Sequence, residues 1–175
     1  MAILTILEAP HPTLSLKARP VTDDEFTPAL RQLLADMAET MYAAPGVGLA
    51  APQVGDSRRI IVADPGNEED DDGNKHLDLL FMVNPVIAER SRDLITYEES
   101  CLSVPDYYLD VKRSRRIRVT WQDGHGAPQE RWFEEFPAIV IQHELDHLQG
   151  VTLLEHSSRL KRSRYLIRRR KQARA

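Results

Sequence analysis

An α+β fold is predicted for this chain of 175 residues. Short, mostly antiparallel strands are expected around a central helix bearing an HExxH motif, with an N-terminal amphipathic helix and a basic C-terminal helix. Three observations carry the prediction. Apolar residues recur at helical spacing near the N-terminus. Short strand-like segments follow, and a second helical stretch then holds His143-Glu144-Leu145-Asp146-His147. A helix, a run of strands and two further helices make an α+β order rather than an alternating one.

Phe26, Leu30, Leu33, Leu34, Met37 and Met41 mark the first helix. Thr22 and Glu25 would form a capping box, but a helix starting there would hold Pro28 in its interior. Thr27 as N-cap with Pro28 at the first helical position avoids that clash. Pro45 and Gly46 end the helix near Ala43. Strands are predicted at 58–64, 77–84 (closed by Pro85), 86–89, 95–98, 107–112, 117–121 and 129–133, with Asp123-Gly124 and Gly126 turning between the last two. Trp121 and Trp132 are expected to pack within these strands. Pro137 opens the second helix, which runs to Leu148 and is closed by Gly150; a third covers 157–171. With neither repeat nor linker, one domain is expected: a body over 1–156, and a basic helix over 157–175 belonging to it.

Composition is that of a soluble globular protein. No apolar run approaches the ~20 residues that span a bilayer. The first seven residues lack the charged and apolar regions of a signal peptide, so a cytoplasmic location without membrane partners is expected. A single cysteine, Cys101, excludes an intrachain disulfide. The net charge of −4 conceals two blocks. Residues 68–72 are all acidic and read as a solvated loop. Beyond residue 156 there are nine Lys or Arg and no acid. No sequence-reading aromatic motif accompanies them, so sequence-specific nucleic-acid binding is not expected. His11, His76 and His125 stand in polar, turn-like contexts and read as surface.

The HExxH spacing puts His143 and His147 on one helical face, where both imidazoles reach one metal ion, with Glu144 placed to take a proton from a metal-bound water. A catalytic site needs a third protein ligand. Downstream it fails on spacing: in the extended HExxHxxGxxH pattern Gly150 fits, but Leu153 holds the last histidine's place and His156 comes three residues late. This weighs against a zinc peptidase. Upstream, Cys101 in Glu99-Ser100-Cys101-Leu102-Ser103 would complete a Cys-His-His set with one position open, a set compatible with Fe(II), Zn, Ni or Co. A structural-metal RNA-binding module would instead need four ligands and no Glu144. A third block, Gly46-Val47-Gly48-Leu49-Ala50-Ala51-Pro52-Gln53, combines glycines that allow close backbone approach with a neutral amide donor in Gln53.

Together GVGLAAPQ, ESCLS and QHELDHLQG, in this order and spacing, resemble peptide deformylase over nearly the whole chain, and the tail is similar to that of the bacterial class with a C-terminal helix. The resemblance implies removal of the formyl group from N-terminal formylmethionine of new polypeptides, releasing formate. Cys101, His143 and His147 would hold one divalent metal, with Fe(II) expected natively. Metal-bound water would attack the formyl carbon with Glu144 as general acid/base, while Gln53 and the Leu102 N–H bind the oxyanion. Phe136, Ile139 and Val140 precede His143 by seven, four and three residues and share its face. With Val47 and Gly48 they would form the methionine slot. A Glu99–Arg113 pair would brace the cysteine loop. Two positions depart from the family pattern. Ser100 replaces a glycine before the cysteine; glycine there implies an unusual φ or tight space, either of which serine would strain, so altered metal affinity rather than lost function is expected. Tyr108 replaces an arginine near the substrate path. The basic tail (Arg159, Lys161, Arg162, Arg164, Arg168, Arg169, Arg170, Lys171, Arg174), docked by Leu160, Leu166 and Ile167, is expected to contact the ribosome.

Overall fold

The computed structural model describes residues 2–67, 73 and 75–172; the acidic run at 68–72 and Arg174 lie outside the described residues. Helix α1 (Pro28–Ala43) precedes strands β1 (Gly48–Ala50), β2 (Ile60–Ala63) and β3 (Leu80–Arg90). Then come β4 (Leu94–Cys101), β5 (Val104–Ser114), β6 (Arg116–Gln122) and β7 (Pro128–Glu134), followed by α2 (Glu135–Leu148) and α3 (Arg159–Gln172). One antiparallel sheet has the order β1-β2-β3-β6-β7, and β4 with β5 forms a separate hairpin.

The sheet lies between two helices because its central strands are apolar on both faces. Successive residues of a strand point to opposite sides. In β2, Ile60 and Val62 pack with Leu30, Leu34, Met37 and Met41 of α1. The alternate residues, Ile61 and Ala63, pack with Ala138, Ile141, Leu145 and Leu148 of α2. A third cluster joins the hairpin residues Cys101, Val104 and Val111 to Leu14, Leu153, Leu154 and Tyr165. α2 is therefore wedged between the sheet and the hairpin, and its chemistry-bearing residues face the hairpin.

Helix α1 starts as expected, with Thr27 as N-cap and Pro28 in the first turn. The Thr22–Glu25 box exists as well, on a separate 3-10 turn at Asp23–Glu25, where the Thr22 N–H donates to Glu25 at 3.0 Å. α2 begins two residues before Pro137, which the first turn tolerates because its N–H would have no helical partner anyway. Gly150 closes α2 at φ 73, and a Cβ there would lie 2.6 Å from the Ser15 carbonyl oxygen. Both facts demand glycine.

Four expectations need correction. The strands predicted on either side of Pro85 are one, β3. Its register shifts between Val83 and Val86, and that irregularity accommodates a residue with no ladder N–H. Asn84 there sits at φ 52 and exchanges hydrogen bonds with the Val21 backbone. Gly48–Ala50, for which no strand was predicted, is the edge strand β1. Trp132 is 39% exposed, its ring covered by the Arg116 guanidinium at 4.1 Å, so it does not pack inside; Trp121 does. Finally, Leu160 and Ile167 do not dock α3, being 61% and 54% exposed. The buried residue of that helix is Tyr165, with Leu166 partly buried beside it.

Candidate metal centre and active site

One helical turn sets the rings of His143 and His147 5.1 Å apart at 68°. The last residue of β4 brings Cys101 to them, its Sγ 3.3 Å from His147 Nε2. The three side chains offer ligand atoms all within 4.8 Å of one another, the one such group among the described residues. Burial alone would raise the Cys101 thiol, but the two histidines override it and hold it down to about 5. Burial would lower His143, yet the Cys101 sulfur and the Glu99 carboxylate push it well above its usual range. A thiolate gathered with imidazoles in a buried site is the donor set of a transition-metal centre, so these residues fit a divalent ion.

Behind them lies a buried ion network. The Arg113 guanidinium donates to both Glu99 oxygens at 2.7 and 2.9 Å and to Asp146 at 2.6 Å. Glu99 Oε2 lies 2.8 Å from His143 Nδ1, which leaves the ring's Nε2 to face the cluster. Burial opposes ionisation of Glu99, and the Arg113 and His143 bonds outweigh it, holding the carboxyl down to about 2. Asp146, the fourth residue of the motif, also meets His156 Nε2 at 2.8 Å. His156, too late in sequence to be a ligand, thus abuts the residue beside one.

Glu144 is 4% exposed, and its Oε2 has no hydrogen-bond partner among the described residues. Burial pushes its carboxyl up to about 7 against the pull of the two histidines. Gly48 explains how it fits: a Cβ there would lie 2.8 Å from the Glu144 carboxyl carbon. Gln53 is oriented at both ends of its amide. Its Oε1 accepts from the Ala50 N–H at 2.8 Å, and its Nε2 donates to Ser103 Oγ at 3.1 Å, with the Cys101 sulfur 3.8 Å away.

These groups border a cavity of about 600 Å³. Val47, Gly48, Phe136, Ile139 and Val140 line it together with Gln53, Cys101, Leu102, His143 and Glu144. His147 and Arg113 stand behind it. Three contributors were not expected from sequence. Tyr97 lines the cavity and packs on Phe136 at 5.4 Å, Ser103 completes the Gln53 amide, and Asp146 is the second acid on Arg113. A signal for Tyr97 exists, since Tyr97, Glu99 and Cys101 alternate on one face of β4. His11, His76 and His125 are exposed.

A family model described as "Polypeptide deformylase" matches residues 3–163. The chain belongs to the polypeptide deformylase family. It is 46% identical to the peptide deformylase of Rhizorhabdus wittichii over 164 residues, which cover 93% of this chain and 90% of the relative. It is 45% identical to that of Phenylobacterium zucineum, over 100% and 99% of the two chains. The crystal structure of peptide deformylase from Ehrlichia chaffeensis superposes with a TM-score of 0.90 at 34% identity, covering 99% of this chain and 98% of that one. Membership in this hydrolase family carries removal of the N-formyl group from nascent peptides and use of a single divalent metal.

Within the deformylase frame, the two unusual positions look different. Ser100 is exposed and does not belong to the positive-φ residues, which besides glycines are Asn84, Asp106 and Glu135 among the described residues. The expected strain at Ser100 is absent. Tyr108 is 67% exposed and lines the cavity mouth.

Proposed function

We propose that this deformylase hydrolyses the formamide of N-terminal formylmethionine with a divalent ion held by Cys101, His143 and His147. Fe(II) is the native ion in this reading, and Zn, Ni or Co are substitutes the same donors accept. Such an ion supplies Lewis acidity, which lowers the pKa of water from about 15.7 to about 7. Glu144, buried and without a partner at Oε2, takes the proton of the attacking water and passes it to the departing amine nitrogen. A C–O bond forms, the C–N bond breaks, and formate leaves a free methionine amine. Gln53 Nε2 and the Leu102 N–H hold the carbonyl oxygen as it gains charge, each worth ~10²–10³ in rate. Val47, Gly48, Phe136, Ile139 and Val140 take the methionine side chain and exclude water. Glu99, braced by Arg113, orients His143.

We assign residues 1–156 to the catalytic body, with α3 part of the same domain. The α3 arginines and lysines suit the ribosome, where formylated chains emerge, and a cytoplasmic enzyme; no described helix is long and apolar enough to cross a membrane. The observation that carries the reading is the convergence of three ligand atoms within 4.8 Å beside Glu144 and the cavity it lines. Formate release from formyl-Met-Ala-Ser, with metal analysis, tests it. Cys101→Ala should lose both bound metal and turnover; full activity in that variant would overturn the ligand set.

A further inference from the structure

The hairpin β4–β5 is not regular where it meets the cavity. Cys101 pairs with Val104 and Glu99 with Leu109. Between these two pairs β4 supplies one residue, Ser100, while β5 supplies four, residues 105–108. The surplus must leave the ladder, and Pro105, Asp106, Tyr107 and Tyr108 all line the cavity mouth. Asp106 lies at φ 57, a conformation that costs a non-glycine residue about 1 kcal/mol or more and persists only where its surroundings dictate it.

Those surroundings come from α3. Tyr165, 3% exposed, is the buried residue of that helix. Its hydroxyl donates to the Pro105 carbonyl at 3.1 Å, and its ring meets Tyr107 edge-on at 5.2 Å. Arg168 stacks over the Tyr165 ring and reaches the next carbonyl, Asp106, at 3.4 Å. Two consecutive carbonyls of the bulge are thus held by one helix, whose remaining surface is nearly all exposed. Among the described residues no hydrogen bond joins α3 to Gln53, Cys101, His143, Glu144 or His147, although Cys101 and Tyr165 share one apolar cluster.

Resting on the deformylase reading, we propose that Tyr165 is a positioning residue which sets this cavity lip and thereby the binding of the peptide residues that follow formylmethionine. The lip carries the exposed Tyr108, while Glu144 and Cys101 line the cavity as buried residues and His147 is buried behind it. Losing its brace therefore weakens the hold on the following residues and leaves the chemical step alone. A substrate that ends at methionine does not sense the lip.

The test compares formyl-Met-Ala-Ser with formyl-methioninamide in the metal-loaded full-length enzyme. Tyr165→Ala should raise KM for the tripeptide roughly tenfold, the scale of one lost hydrogen bond and ring contact, with kcat within about twofold. KM for formyl-methioninamide should stay at the wild-type value, and backbone amides of residues 106–108 should exchange hydrogen faster. Tyr165→Phe, which keeps the ring, and Arg168→Ala should each give a smaller rise, and they carry the test if Tyr165→Ala does not fold. An unchanged tripeptide KM in folded variants, or an equal rise for both substrates, overturns the proposal. Silence of the wild type on both substrates would count against the activity itself. An active wild type with unmoved variants would count against the lip alone.

Discussion

Helices α2 and α3 are both fourteen residues long, yet α2 buries nine residues and α3 one. α2 is gripped from both sides, by the sheet through Ile141 and Leu148 and by the hairpin through its polar residues. Gln142 shows how closely: its amide accepts from Arg90 and the Ser114 N–H and donates to the Ser114 and Ala138 carbonyls. α3 rests on the Tyr165 contact, helped by the Arg162–Glu155 and Arg169–Glu8 ion pairs and by Arg168, and most of its remaining surface is exposed. Precise placement of catalytic groups follows from the first arrangement, and a surface available to a charged partner from the second.

Breaking the grip on α2 should have the largest effect. Arg113→Met leaves two acids facing a pocket made for a cation. Removing one partner of a buried ion network costs about 3–5 kcal/mol, to be read from urea unfolding of the metal-free chain. Metal retention, followed by competition with a chelator, should fall ~10–100-fold because Glu99 no longer orients His143. If stability and retention both hold, the network is decoration. Its pH dependence has a fixed sign. Glu99 is held below its ordinary value, so its contribution is complete above pH about 4.5 and is lost as pH falls through about 2. Glu99→Gln should therefore show a shallower loss of stability across that window than the wild type.

Smaller effects sharpen the contrast within packing. Ile141→Ala, at a fully buried position of α2, should cost about 2–5 kcal/mol. Leu160→Ala, on the exposed side of α3, should stay within about 0.5 kcal/mol. Equal losses at the two positions would mean that α3 is seated more deeply than its exposure shows.

The same contrast explains what could be read from the sequence. α2 was legible because its constraints are local: an i, i+4 histidine pair, apolar residues three, four and seven positions before His143 on the same face, Pro137 in the first turn and Gly150 where the backbone turns left-handed. α1 was legible for the same reason, with Pro28 marking its start. What escaped depends on distant residues. Pro85 looked like a strand end because the bulge that absorbs it is held by Val21, over sixty residues away. The bulge at residues 105–108 exists only as a mismatch between two strands. In α3 the aliphatic residues drew attention, while the docking residue is a tyrosine whose hydroxyl finds a carbonyl on the hairpin. Gly48 and Gln53 were chosen for their chemistry, but the three-residue strand β1 that carries Gly48 and the 3-10 turn at Ala51–Val54 that carries Gln53 were hidden by their brevity. Asp146 and His156 are linked by a contact between a helix and the segment after it, which spacing does not encode.

In the proposed reaction the Cys101, His143 and His147 cluster holds the metal while Glu144 moves the proton. Glu144→Ala, assayed for bound metal and for formate released from formyl-Met-Ala-Ser, tests it most directly. The variant should bind about one metal per chain, as the wild type does, with kcat reduced by ~10²–10⁴, the scale of general acid–base catalysis. Retention of wild-type turnover by the metal-loaded variant would contradict it.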